Sequence, residues 1–128
     1  MSDEVAIVTG AGHPEGIGDA IAKRLRADGR TVVTADLQGA DRDIDVTDSV
    51  QIDHCIRETL RDHGRIDILI NNAGIAEGPA GFLEQTAETF DRTLAVNVKG
   101  MVQFSQGVIP HMQQACKGVI VNIASLSG

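Results

Sequence analysis

The stretch Val5-Ala6-Ile7-Val8-Thr9-Gly10-Ala11-Gly12-His13-Pro14-Glu15-Gly16-Ile17-Gly18 decides the fold. Its first five residues form a short apolar run with β-branched side chains, which predicts a buried strand. Glycines interrupt the run, and residues 16–28 then follow a helical period, with Ile17, Ile21 and Leu25 on one face and Gly29 placed to end it. A glycine-rich turn between strand and helix lets backbone approach a phosphate closely, and the helix amino terminus adds N–H groups and a partial positive charge. An ordinary glycine turn is the alternative, and the placement between strand and helix weighs against it.

Outward from this unit the alternation repeats. Residues 31–35 are a second β-branched run and 43–46 a third, very short one. Thr47 is placed to cap a helix whose stripe is Val50, Ile52, Ile56 and Leu60, ending at Gly64. Residues 66–70 read as a strand and 74–81 as a loop. Residues 86–114 read as one long helix with Phe90, Leu94, Val98, Met101 and Val108 at helical spacing. Asn97, Gly100 and Gly107 are poor helix formers within it, and Pro110 should kink or shorten it. Residues 118–124 form a last strand. This order predicts right-handed crossovers and an open parallel α/β sheet covered on both faces, with ligands bound beyond the carboxyl ends of the strands.

The 128 residues are 42% apolar and 23% charged, which fits one modest domain. Eleven Lys and Arg face 18 Asp and Glu, for a net charge of −7. Such an acidic chain without a basic tract argues against nucleic acid and anionic membrane as partners. The start Met1-Ser2-Asp3-Glu4 is acidic where a secretory signal is basic, and no apolar run reaches the about 18 residues of a membrane span. Two cysteines, Cys55 and Cys116, make no disulfide framework, so the cytoplasm is the expected compartment. Cys116 reads as a packed thiol, and His54, Cys55 and His63 lack metal-site spacing.

Asp36 ends the second strand, 18 residues after Gly18, close to the spacing of about 20 expected of a ribose-binding acid. A carboxylate there accepts hydrogen bonds from a ribose and repels a 2′-phosphate, which favours NAD over NADP. A turn-capping role for Asp36 is the alternative. Arg42 stands close enough in sequence to meet a phosphate.

With these features the chain resembles the classical short-chain dehydrogenase/reductase family along its whole length. Thr9, Gly10, Gly16 and Gly18 are similar to the family's Thr-Gly-x-x-x-Gly-x-Gly, except that five residues rather than three separate Gly10 from Gly16. Asp45-Val46 resembles the Asp-Val pair that holds an adenine, and Asn71-Asn72-Ala73-Gly74 the Asn-Asn-Ala-Gly signature. Asn97 matches the family's helix-interior Asn, whose carbonyl holds a water in a proton relay. Ser125, in Val121-Asn122-Ile123-Ala124-Ser125-Leu126-Ser127-Gly128, matches the Ser that orients substrate, and Gly128 fixes that register over Ser127.

The resemblance implies a Rossmann-type doubly wound parallel sheet, incomplete at its carboxyl-terminal side. Residues 1–128 would be the NAD-binding, amino-terminal portion of a longer single-domain enzyme. It implies a cofactor site of Thr9, Gly10, Gly12, Gly16, Ile17, Gly18, Asp36, Leu37, Asp45, Val46, Asn72, Ala73 and Gly74, with Ser125 and Asn97 catalytic and no metal. It places His13 at the phosphates, His54 and His63 on a crossover helix and His111 at the far end of the long helix.

The implied reaction moves a hydride between nicotinamide and an alcohol or ketone. The family's acid–base is a Tyr in a Tyr-x-x-x-Lys motif about a dozen residues beyond the Ser, and this chain contains no Tyr. Alone, the chain is therefore expected to be inactive. Its last strand would lie uncovered, and the isolated chain would aggregate or stay partly unfolded. When longer, it is expected to form a homo-oligomer, a dimer or tetramer, with the long helix at one interface. Two other classes compete: a non-catalytic nucleotide-binding regulatory or interaction module, which has no evident need for Asn97 or Ser125, and a methyltransferase-like α/β domain, which needs neither residues 71–74 nor Ser125.

Overall fold

The computed structural model describes residues 3–76 and 81–125. Its strands are β1 (Val5–Thr9), β2 (Thr31–Asp36), β3 (Arg42–Asp43), β4 (Ile68–Asn71) and β5 (Val119–Asn122). Its helices are α1 (Ile17–Ala27), α2 (Ser49–His63), α3 (Ala87–Leu94) and α4 (Gly100–Gln114), with a 3-10 turn at Phe82–Glu84 and a π-helical segment at Ala95–Lys99 joining α3 to α4. The strands pair in parallel in the order β3-β2-β1-β4-β5. The chain winds outward from β1 to one edge, then returns through β4 to the other. That reversal between β1 and β4 is where open α/β sheets form a crevice.

Alternation along the strands divides the core. Ala6, Val8, Val32 and Ile70 pack on one face, against Ala22, Ile21 and Leu25 of α1. Ile7, Val33 and Leu69 pack on the other, with Ile52 and Ile56 of α2 and Phe104, Val108 and Met112 of α4. Gly29 ends α1 as the sequence predicts. It has φ +91°, and the Gly29 and Arg30 N–H groups donate to the carbonyls of Arg26 and Leu25, closing the last turn. Gly64 closes α2 with φ +77°.

Several expectations are corrected. The third strand is Arg42–Asp43 rather than 43–46, because Ile44 and Val46 turn into the core as the chain leaves the sheet edge. Strand β4 begins two residues later than 66. Asp48, not Thr47, caps α2, its carboxylate accepting the N–H groups of Val50 and Gln51. Ile17 and Val50, placed on the apolar faces of their helices, sit in the first turns and are 64% and 75% exposed. Cys116 is exposed, at φ +54° in the turn after α4. The buried thiol is Cys55, which burial pushes up to about 11 and keeps protonated at neutral pH.

The single long helix is also corrected. Its π-helical segment adds a residue to one turn, with Gly100 N–H donating to Ala95 O. One extra residue rotates everything downstream by about 100° relative to a constant period. Phe90, Leu94 and Val98 are consequently exposed while Val108 is buried, although a straight helix puts Phe90 and Val108 on one face. Pro110 does not stop the helix. It lies on the exposed side, where water can replace the hydrogen bond it cannot donate, and α4 runs on to Gln114. Among the described residues no helix is long and apolar enough to cross a membrane.

At the amino ends of the strands, buried Asp67 accepts Val5 N–H at 2.8 Å and pairs with both arms of Arg65. Burial alone would raise its pKa, but Arg65 and Val5 N–H together outweigh that and hold it below the usual carboxylate value. The sign follows: the stabilisation is complete above the ordinary carboxyl pKa of about 3.9 and is lost as pH falls through the lower native value. Asp67→Ala should destabilise the chain by about 2–3 kcal/mol at neutral pH, since it leaves a strand N–H without its interior partner. It should also flatten the loss of stability below about pH 4. Urea denaturation followed by circular dichroism across that range measures both.

Candidate functional site

Beyond the carboxyl ends of β1, β2 and β4 lies a cleft of about 720 Å³, within the range of about 300–1,000 Å³ common for ligand sites. Its floor begins at Thr9. The Thr9 hydroxyl donates to Ile70 O at 3.4 Å and accepts the N–H groups of Asn72 and Ala73, each at 3.0 Å. Thr9 is therefore buried beneath the cleft and positions the 72–74 segment along its wall.

The glycine loop then folds back tightly against that segment. Gly10 has φ +65°, and a Cβ there would lie 2.8 Å from Ala73 Cα. The Asn72 amide donates to Gly10 O at 3.1 Å. Gly18, in the first turn of α1, fits beneath the same amide: a Cβ would fall 2.6 Å from both Asn72 Nδ2 and Gly10 O. Gly16 is the N-cap of α1 and contributes no side-chain cap, while Asp19 in the first turn accepts the Glu15 N–H at 3.2 Å and complements the helix dipole.

Two carboxylates stand along the cleft. Asp36, at the end of β2, accepts Gly12 N–H at 2.9 Å through Oδ2 and Leu37 N–H at 2.7 Å through Oδ1. Asp45 accepts the hydroxyl and N–H of Thr47 at 2.7 and 2.8 Å, both through Oδ1. Those two hydrogen bonds, with a smaller contribution from the Arg92 guanidinium, hold its pKa below the usual carboxylate value. Arg42 is not at the cleft. Its guanidinium meets Glu58 and Asp62 of α2, each at 2.8 Å, because its register partner Ala35 belongs to the sheet face that α2 covers.

Gly10, Ile17, Asp36, Leu37, Asp45, Val46, Asn72, Ala73 and Gly74 are brought together as lining of this one cleft. Thr9, Gly12, Gly16 and Gly18 frame it from behind. Asn71 lies deeper and ties β4 to β5 and α4 through Asn122 Oδ1 at 2.9 Å and Ser105 Oγ at 3.2 Å. Asn97 sits in the π-helical segment, where its side-chain amide donates to Ile75 O and its oxygen accepts Ile75 N–H, both at 2.8 Å. Ser125 is exposed, three residues beyond β5, and does not line the cleft. Gly128, which fixes the register of Ser125, lies outside the described residues. Among the described residues no group of His, Cys, Asp and Glu is arranged to hold a metal ion.

The sequence reading missed Ile44, Thr47, Ile75, Arg92, Ala95 and Val96 as cleft residues. The last three share one helical face at i, i+3 and i+4, a spacing that marks them as neighbours without saying what they face. The cleft fits a dinucleotide: Gly10, Gly12 and Gly18 leave no room for a Cβ, its wall carries a fixed acid at the end of β2, and a helix amino terminus without a side-chain cap faces the loop.

A family model described as short chain dehydrogenase matches residues 4–128. The chain is 40% identical to 2-(R)-hydroxypropyl-CoM dehydrogenase of Xanthobacter autotrophicus, over 96% of this chain and 56% of that protein. It is 36% identical to meso-2,3-butanediol dehydrogenase of Serratia marcescens, over 100% of this chain and 55% of that protein. A solved short-chain dehydrogenase of Streptomyces avermitilis superposes with a TM-score of 0.87 at 32% identity, covering 97% of this chain and 50% of that one. The chain thus spans about half the length of the relatives it matches.

Asn97→Ala removes both hydrogen bonds to Ile75 and should leave the 72–76 wall loose. Amide exchange at Ile75 should accelerate at least about tenfold, while exchange in β1 stays unchanged. Residue-resolved hydrogen exchange measures this directly.

Proposed function

The chain belongs to the short-chain dehydrogenase family, and on that premise we propose that it carries the NAD-binding site of an oxidoreductase acting on an alcohol or ketone. The observation that carries the cofactor preference is Asp36. Two backbone N–H groups fix its carboxylate at the end of β2, where it accepts the hydroxyls of an adenosine ribose and opposes a 2′-phosphate. The engagement of Arg42 by Glu58 and Asp62 supports the same choice, since it withdraws a cation that stands close to that position in sequence. Asp45 and the Val46 backbone take the adenine end. The glycine loop and the amino terminus of α1 take the diphosphate, and Asn72 to Gly74 line the path toward the nicotinamide. Bound there, nicotinamide gives or takes a hydride.

Ser125 would orient the reacting oxygen, and the Asn97 carbonyl would hold a water of the proton relay. The π-helical turn around Asn97 supports a functional role, because such turns recur at functional sites. The 128 residues contain no Tyr, so this reading expects the chain alone to bind cofactor without turnover. The two relatives are named as dehydrogenases of a hydroxypropyl compound and a butanediol, which supports alcohol or ketone chemistry. The exposed apolar residues Phe90, Leu94, Val98 and Val102 of the α3–α4 helix support a homo-oligomer, and the expected setting is the cytoplasm.

A competing reading is a nucleotide-binding module without catalysis. Asn97 no longer argues against it as strongly, since its clamp on Ile75 is a structural task of its own. Calorimetric titration tests the proposal. NADH should bind the chain more tightly than NADPH, and Asp36→Ala should narrow that difference by about tenfold or more, the worth of one charged hydrogen-bonding group. An unchanged ratio would remove Asp36 from this role.

A further inference from the structure

Strands β2 and β3 run parallel, yet only residues 37–41 connect them. A parallel connection ordinarily takes about a dozen residues or more, so this loop has little slack. Its far end is tied back to β2. Asp41 N–H donates to Thr34 Oγ1, and the Asp41 carboxylate accepts Thr34 N–H, both at 2.9 Å. Arg26 of α1 reinforces the tie, donating to the Asp41 carboxylate and to Val32 O, each at 3.2 Å.

The middle of the connection is seated on the glycine loop. Gly39 has φ +77°, and a Cβ there would overlap Gly12 O; a Cβ on Gly12 would overlap Gln38 O and lie 2.9 Å from Asp36 Cβ. Both contacts are backbone against backbone, so no side chain can rotate away to relieve them. Gly39 is exposed, and what its position demands is the left-handed turn and this one contact. The contact has a consequence for Asp36. It sets Gly12 where its N–H donates to Asp36 Oδ2 at 2.9 Å. Neither Gly12 nor Gly39 lines the cleft, so their bearing on a bound nucleotide runs through the carboxylate they hold.

We propose that Gly39 is a positioning residue for nucleotide selectivity: by seating the 37–41 connection on Gly12, it keeps the Gly12 N–H on Asp36 and fixes the carboxylate that meets the ribose. This rests on the dinucleotide reading above. It makes the preference for NAD depend on a loop contact outside the cleft as well as on the acid itself.

Calorimetric titration of NADH and NADPH into the full 128-residue chain tests it. Gly39→Ala should narrow the preference for NADH about threefold to tenfold, up to the worth of one hydrogen bond to a charged group. Gly64→Ala is the control. Gly64 also has φ +77°, but nothing lies within 4 Å of a Cβ there, so this change brings the same backbone strain and should leave the preference within about twofold. In an Asp36→Asn chain, Gly39→Ala should alter the ratio by no more than about twofold, because the two residues act as one unit. The wild-type chain gives a measurement that needs no substitution: before nucleotide is added, Gly12 N–H should exchange at least about tenfold more slowly than an unstructured glycine amide. An unchanged preference in Gly39→Ala, an equal narrowing in Gly64→Ala, an undiminished Gly39 effect in the Asp36→Asn chain, or a rapidly exchanging Gly12 amide overturns the assignment while the dinucleotide site stands. A wild-type chain that binds neither nucleotide, or both alike, overturns the reading above and this inference with it.

Discussion

The hydroxyl of Thr9 is the point on which the cleft depends. Within one small volume it donates to a β4 carbonyl and accepts two successive N–H groups from the segment leaving that strand. A buried segment turning away from a sheet needs partners for its backbone groups, and here one side chain supplies two. Because Asn72 is held from below, its amide can reach Gly10 O and roof the first turn of α1. Strand, loop and helix become one rigid body around a backbone that cannot admit a Cβ at Gly10 or Gly18. Geometry of this kind favours binding, since little ordering remains to be done when a ligand arrives.

The two ends of the sheet are held by different chemistry. At the carboxyl ends, neutral amides and a hydroxyl do the joining, through Thr9, Asn71 and Asn72. At the amino ends, charges do it, through Asp67 with Arg65 and through Glu4 with Arg30 and Lys117. Arg65 is well exposed, so its pairing with Asp67 is screened and the interior hydrogen bond to Val5 N–H matters more.

What the sequence revealed follows from how local each signal is. The glycine loop, Asp36 and residues 71–74 are short motifs beside strands, and one cleft brings Gly10, Asp36 and residues 72–74 together. The helix after β4 was misread because its deciding contact is not local. Asn97 reaches back 22 residues to Ile75, and the π-helical turn at that point shifts the helical phase. Both Phe90-Leu94-Val98 and Phe104-Val108-Met112 repeat every four residues, so periodicity alone cannot say which stripe meets the sheet. Arg42 shows the limit of sequence proximity for a related reason. Its distance from Asp36 in sequence is short, but strand alternation turns its side chain toward α2. Thr47 gave way to Asp48 as helix cap because its hydroxyl is already committed to Asp45.

The strand order gives the sheet a direction of growth. One border is β3, two residues long, which offers too little main chain to template a neighbour. The other border is β5, a four-residue strand in full parallel register with β4 and exposed along most of its length. Any further strand, whether from the same polypeptide or another, therefore has one geometrically sensible berth, and it lies on the side of the sheet that carries Asn122 and leads to Ser125. Such an extension would cover the exposed edge of β5 and the segment that leaves it in the same step.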